Sequence, residues 1–363
     1  MFYLHKVLCF IYTMFCVLSK QSFVFYLHNI LCFTYTKFCV YAVQKGSQNR
    51  KYLVKSWKKF CQGAKYTLYK HSFCRVNLGR NKMKYVVFYN PQANNKKGYE
   101  EAQKVSAFYP NDTLEFVNVL ENDYQQVINT TDADGCILVG GDGTVNYFIN
   151  HVDCDNLTKD IYYFGGGSGN DFLTDIGGTI GGEPVLINKY LANLPTVEVK
   201  GQTYKFINGI GYGIDGYCCQ VADEIRAKDS TKKIDYTGIA IKGLLFHYKP
   251  TQAEVIVDGE SKTYKKVWLS PCMIGRHYGG GMIPTPEQDR FDGNLSVMTM
   301  FGKGRLPTLM VFPSIFKGEH VKKSCVEVRK GKQITVKFDS PTALQIDGET
   351  ILDVLEFTAT AAK

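Results

Sequence analysis

Two glycine-rich loops carry the residue types best suited to chemistry. The first, Gly140-Gly141-Asp142-Gly143-Thr144, follows an apolar run at 135–139 (GCILV) and precedes a stretch of helical character at 145–151. Successive glycines let a backbone turn with positive φ and approach a ligand with no Cβ in the way. Their N–H groups then converge near the positive end of the following helix, which makes a cradle for an anion such as a nucleotide phosphate. Asp142 conflicts with a phosphate unless a metal ion or a donor lies between them. A tight strand-to-helix turn with Asp142 as a helix cap is the simpler alternative. The pattern is neither GxxxxGK[ST] nor GxGxxG. The second loop, Gly167-Ser168-Gly169-Asn170-Asp171-Phe172, offers small residues, a hydroxyl, an amide and another carboxylate. Two such loops after successive strands are far less expected by chance than one.

The tripeptide Asp-Gly-Glu occurs twice, at 258–260 and, near the C-terminus, at 347–349. Asp-Gly between strands is a common hairpin turn, so the tripeptide alone says little, and Asp258 reads as such a turn. A carboxylate within hydrogen-bond reach of a hydroxyl can accept its proton.

The elements that must position these residues fall into two halves. Residues 84–89 (KYVVFY) read as a buried strand ending at Asn90-Pro91. Strand-like runs at 114–119, 135–139 and 161–164 alternate with helical stretches at 99–108, 122–128 and 145–151. This alternation predicts an α/β fold with a parallel sheet, whose ligands bind at the carboxyl ends of the strands. After residue 194 strands dominate, at 196–200, 204–208, 253–257, 265–274, 295–299, 324–329 and 333–338, with one helical insert at 217–248. The expected architecture is a small parallel α/β domain (83–194) and a larger β-rich, antiparallel, sandwich-like domain (195–363), with a cleft between them.

GGDGTVN followed by GSGNDF resembles the diacylglycerol kinase catalytic-domain family, which includes soluble bacterial lipid kinases and the sphingosine and ceramide kinases. The resemblance continues through Asn208-Gly209-Ile210-Gly211-Tyr212-Gly213-Ile214-Asp215, through Gly279-Gly280-Gly281-Met282 with Pro284 and Pro286, through Asp292-Gly293-Asn294-Leu295, and through Gln345-Ile346-Asp347-Gly348-Glu349. It spans residue 83 to about 360, in order. It implies ATP-dependent phosphorylation of a lipid hydroxyl, with diacylglycerol first among the acceptors. It also implies that Gly140, Gly141, Asp142, Gly143 and Thr144 bind the ATP phosphates, with Asn90 and Ser168 lining the nucleotide pocket. Asp347 becomes the general base and Glu349 its companion. Asp292 becomes the carboxylate of a structural Mg²⁺ site, completed by Asp289 and Asn294. The first loop departs from the family's N-P-x-S-G at Ala93 and Asn94, Ser168 stands for the more usual Thr, and Gly166 stands near a usual Pro. Asn94 can still take a left-handed conformation. An NAD kinase shares a GGDGT loop and is the competing enzyme reading; a catalytically silent nucleotide or lipid binder is the non-enzymatic one.

The 363 residues carry a formal charge of +9, but it is unevenly placed. Residues 1–82 hold 14 Lys or Arg and no acid, and the remainder carries −5. The basic balance therefore argues for no nucleic-acid partner of the folded part. Residues 1–82 also hold none of the 11 prolines, and residues 25–40 repeat residues 2–17 at 12 of 16 positions. Their uncharged runs of 13 and 16 residues fall short of the ~18–20 needed to span a bilayer. This segment reads as an N-terminal extension outside the folded enzyme, with a membrane-associating segment as the alternative. The six later cysteines lack C-x-x-C spacing, which suits a reducing cytoplasm and no zinc site. His277 reads as an ordinary satisfied residue. Residues 242–249 (KGLLFHYK) read as a packed helix or as a contact with an anionic membrane. The expected partner is a lipid substrate met at the membrane surface by a cytoplasmic protein, and a homodimer is left open.

Overall fold

A computed structural model describes residues 82–362 except 167–168, 230–231 and 233. The expectations for the first 81 residues and for Ser168 lie outside the described residues. The first sheet has the order β2-β1-β3-β4-β5. Its strands are Lys84–Tyr89 (β1), Thr113–Asn118 (β2), Gly135–Gly140 (β3), Asp160–Gly165 (β4) and Val185–Leu186 (β5). The first four are parallel, and β5 adds an antiparallel edge. β1 and β3 are buried nearly end to end, as expected of parallel strands covered on both faces. Helices Gly98–Gln103 (α1), Tyr124–Thr130 (α2) and Asp142–His151 (α3) supply the cover. Val86, Phe88 and Leu138 pack with Val145 and Phe148 of α3 on one face, while Tyr85, Val87 and Val139 pack with Ala102 on the other.

The chain leaves β1 toward β2 and returns to β3 on β1's opposite side. The strand order thus reverses between β1 and β3. In such sheets the loops beyond that point diverge and leave a crevice. The loop after β1 starts at Asn90 and the loop after β3 is the first glycine loop. A five-residue helix, Asp171–Asp175 (α4), follows the second glycine loop.

The second sheet is antiparallel. It contains Thr196–Val199 (β6), Gln202–Lys205 (β7), Gly209–Tyr212 (β8), Thr251–Val257 (β9), Glu260–Val267 (β10), Cys272–Met273 (β11), Leu295–Met300 (β12), Val326–Gly331 (β13), Gln333–Ile346 (β14) and Glu349–Thr360 (β15). Its main path runs β13-β12-β11-β8-β14-β15-β6-β7, and β9 joins β10 to β14. The long β14 pairs with β9 through Ile334–Phe338 and with β8 through Leu344–Ile346. This brings the β14–β15 turn beside the start of β8.

Several elements differ from the sequence reading. The helical insert is two helices, Ile214–Lys228 (α5) and Tyr236–Lys242 (α6), followed by a helical turn at Gly243–His247. The break falls before Asp235, whose side chain caps α6 by accepting from the Gly238 N–H at 2.9 Å. The strand expected at 265–274 is two strands, because Pro271 between them has no N–H for a ladder. β15 and a helix at Arg305–Val311 (α7) were not expected. Asp258 does form the β9–β10 hairpin turn, as expected, with φ 49°.

Candidate active site

Asp347 and Gly348 occupy the β14–β15 turn with φ 47° and 101°. Positive φ at both central positions is the geometry that Asp-Gly supplies in a two-residue hairpin. The turn directs the Asp347 carboxylate into the protein, where the residue is 7% exposed. Oδ1 accepts the backbone N–H groups of Asn208 (2.8 Å) and Gly209 (2.9 Å). Oδ2 accepts the N–H of Ile207 (2.7 Å) and the side-chain amide of Asn146 (3.1 Å). Burial pushes this carboxyl above the ordinary aspartate range, against the pull of those hydrogen bonds. All four lone-pair directions of the carboxylate are therefore in use.

Asn146 lies on α3, the helix that opens with the first glycine loop. One side chain thus links the turn at 347 to the loop at 140–144. Glu349, two residues on, is exposed, and its Oε1 would lie 3.5 Å from a Cβ placed on Gly143. Asp347 and Glu349 are both brought to the loop, in different states. Asp347 is buried and fully bonded. The Glu349 side chain has no hydrogen bond or ion pair among the described residues.

The glycine loop is more self-contained than its sequence suggests. The Asp142 N–H donates to the Gly169 carbonyl (3.0 Å), and the Thr144 N–H to the Gly141 carbonyl (3.0 Å). Only part of the cradle faces outward; the Gly143 N–H, in the first turn of α3, has no partner among the described residues. Gly140 must be glycine for a local reason, since a Cβ there would lie 2.0 Å from Thr144 Oγ1. Asp142 does not cap its own helix. Its carboxylate accepts the N–H groups of Asp171 (2.9 Å) and Phe172 (3.0 Å), and so caps α4 across the gap between the two loops. Asn90 closes its own turn, accepting the Gln92 N–H at Oδ1 (2.9 Å), and Asn94 adopts φ 49° as anticipated.

Asn208 is the centre that the sequence reading did not single out. It is 3% exposed. It gives its backbone N–H to Asp347, offers its side-chain amide to Asp142 Oδ1 (3.3 Å), and accepts Arg290 Nη2 at Oδ1 (3.0 Å). Arg290 also donates to the Ile207 carbonyl and pairs with Asp175. Asp175, at the end of α4, further binds Arg276 (3.1 Å) and His277 (3.0 Å). Burial favours its neutral form, but the His277 hydrogen bond and the Arg290 charge outweigh that and hold it well below the usual carboxylate range. His277 is thus a satisfied partner of a buried acid. Asp171 accepts the N–H groups of Gly280 and Gly281, at 2.8 Å each, which ties the triple-glycine segment to the second loop.

The turn at 289–294 gathers the residues expected to hold Mg²⁺. Their oxygens suit a hard cation in type, and each also accepts a donor of this chain. The carbonyls of Asp289 and Asn294 both accept Gln288 Nε2, at 2.9 Å each. Asp292 accepts the Asn294 N–H at 2.9 Å and pairs with Lys330 across β12–β13. Each carbonyl keeps a second lone pair, so these oxygens fit a hard cation in type, with the Lys330 ammonium supplying the positive charge beside Asp292.

A parallel α/β sheet with two loops at its switch point, joined to an antiparallel sheet that presents a paired Asp and Glu, defines the class. Residues 84–194 match the family model described as diacylglycerol kinase catalytic domain, and residues 208–357 match the YegS C-terminal NAD kinase beta sandwich-like domain. The chain belongs to the diacylglycerol kinase catalytic-domain family. Among its relatives is a Staphylococcus aureus (strain bovine RF122 / ET3-1) protein named as a putative lipid kinase, 28% identical over 231 residues, which are 61% of this chain and 72% of that protein. Two solved structures of a putative diacylglycerol kinase from Bacillus anthracis str. Sterne share the fold. One has TM-score 0.56 and 20% identity, covering 79% of this chain and 95% of that one. The other has TM-score 0.55 and 19% identity, covering 78% and 96%.

Proposed function

We propose that the protein transfers the γ-phosphoryl group of ATP to the hydroxyl of a lipid, diacylglycerol first among the candidates, giving phosphatidate and ADP. One observation carries this reading: the hydrogen bond from Asn146, on the helix that opens with the glycine loop, to Asp347 in the opposite domain. It draws the turn of the Q-x-DGE motif, with its two carboxylates, up to a loop able to grip phosphate. The nucleotide phosphates lie along Gly140–Thr144, where the open Gly143 N–H and the start of α3 favour negative charge. Asn90 borders the nucleotide. The lipid oxygen forms a bond to the γ-phosphorus as the bond to the bridging oxygen breaks, and the hydroxyl proton passes to a carboxylate.

Asp347 is the proposed base. For it to receive the proton one of its four donors must withdraw. Asn146 makes the longest of these contacts, and it is the one side-chain donor. A second division of labour is favoured by the unpartnered state of Glu349: this residue takes the proton, and Asp347 fixes residues 207–209. The test is phosphate transfer from labelled ATP by the full chain, offered a panel of diacylglycerol, sphingoid bases and NAD. Labelled lipid is expected. Labelled NAD alone, or ATP bound with no transfer to any acceptor, overturns the proposal.

A further inference from the structure

The described residues expose sixteen large apolar side chains, and six of them fall in two short segments, 236–249 and 301–318. Those segments are neighbours in space. The helical turn Gly243–His247 packs on α7, and Arg305 Nη1 donates to the Leu244 carbonyl at 2.8 Å. Phe246 on the turn is 70% exposed, and Leu306 and Met310 on α7 are 66% and 75% exposed. Leu306 and Met310 are four residues apart and so share one face of their helix. Single exposed apolar residues need no explanation, but a cluster on adjoining elements does.

The same two segments contain five Lys or Arg and no Asp or Glu, although residues 83–363 carry −5 overall. Lys242, Lys249, Lys303 and Lys317 are all exposed. Three protruding apolar side chains amid bases, with no acid among them, match the chemistry of an anionic bilayer: acyl chains beneath, phosphates above. A second protein would more often meet a mixed rim of both charges. α5 connects this face to the candidate active site. It packs on α6 at one end of the excursion, and its Asp223 accepts the hydroxyl of Thr350, next to Glu349, at 2.6 Å.

We infer that the face built from Gly243–His247 and α7 docks the protein on an anionic lipid surface, inserting Phe246, Leu306 and Met310 while the lysines meet headgroup phosphates. This rests on the lipid-kinase reading for its purpose, but its test does not require that reading to hold. The full chain is floated with vesicles of phosphatidylcholine alone, or of phosphatidylcholine and phosphatidylglycerol in equal parts. The variants are Phe246→Ser with Met310→Ser, and Lys242→Gln with Lys303→Gln. All three proteins are also assayed on diacylglycerol in detergent micelles, and their oligomeric state is measured.

The wild type is expected to float with the anionic vesicles and not the neutral ones. Each double variant should lose about tenfold or more in vesicle affinity, with micellar activity unchanged. Equal flotation of wild type and variants, or no flotation of the wild type, overturns the inference and leaves the kinase reading standing. A change of oligomeric state without a change in flotation also overturns it and assigns the face to a second copy. Patch-dependent flotation without phosphorylation of any lipid supports the surface and removes the kinase reading instead.

Discussion

Asn146 and Asp347 are 201 residues apart in sequence and 3.1 Å apart at Nδ2 and Oδ2. Their contact fixes the distance between the helix that starts at the glycine loop and the turn that carries both carboxylates. If Asp347 is the base, that amide lowers its pKa by favouring the charged form. Asn146→Ala removes one of four donors, so the carboxyl should titrate higher and the acidic limb of the pH–rate profile should move to higher pH. The loss of a buried partner should also cost about 1–3 kcal/mol of stability. A limb that stays in place while activity falls would assign proton transfer to Glu349.

The two carboxylates themselves separate chemistry from folding. Glu349→Gln alters an exposed side chain without partners, so the unfolding temperature should stay constant and the turnover should fall less than in Asp347→Asn; a loss of about 10²–10⁴-fold, the usual range for a lost proton acceptor, would move the base from Asp347 to Glu349. Asp347→Asn should abolish transfer and also lower the unfolding temperature, because its amide would face an N–H of the 207–209 segment. Asp258→Asn should spare activity. It will not be wholly silent in stability, since Asp258 accepts the N–H groups of Lys332 and Gln333. Thermal melts and initial rates on the three variants check these outcomes, and full activity of Asp347→Asn would remove it from the mechanism.

The parallel sheet was legible because β1, β3 and β4 are short apolar runs that end at Asn90 or at a glycine loop. The β14–β15 pair was not. Pro341 and the polar residues around it read as an end, yet β14 continues past them with irregular register between Lys337 and Thr342, and β15 has no clean alternation of exposure. The motif letters located the loop, the turn at 347 and the 289–294 turn. They did not reveal what each carboxylate does. Asp142 caps a helix 29 residues later, and Asp347 gathers N–H groups from 138–140 residues earlier. Partners that distant leave no local pattern. Asn146 and Asn208 had one available signal, as the last letter of GGDGTVN and the first of the segment ending at Asp215.

Asp175 anchors the second loop to the β-rich half through Arg276, His277 and Arg290. Its side chain is 2% exposed, so Asp175→Asn leaves a buried guanidinium short of its counter-charge, at a cost of about 3–5 kcal/mol near neutral pH. The pH dependence has a definite sign. A depressed carboxyl contributes stability above its unfolded pKa, ~3.9, and loses it as the pH falls through the lower folded value. The gap between wild type and variant in denaturant titrations should therefore be full near pH 6 and shrink below pH ~4. A gap that grows on acidification would contradict the assignment.

Asp215 should behave in the opposite way. It is 7% exposed, at the start of α5, and it accepts the Tyr278 hydroxyl at 2.6 Å. Burial pushes its carboxyl up to about 7, against the lowering effect of that hydrogen bond. Between the unfolded value near ~3.9 and this raised one, the native state binds more protons than the unfolded chain. Stability from this group accordingly falls as pH rises through that window and levels off above it. Asparagine keeps the acceptor for Tyr278 and never ionises. Asp215→Asn should match the wild type near pH 4, then gain on it by on the order of 1–3 kcal/mol by pH 8. This window lies above the one in which Asp175 titrates, so the two effects separate in urea titrations at pH 3, 5 and 8. A difference between Asp215→Asn and wild type that does not vary from pH 5 to pH 8 would show that Asp215 is ionised throughout. The hydrogen bond to Tyr278 would then be strong enough to outweigh the burial of the charge.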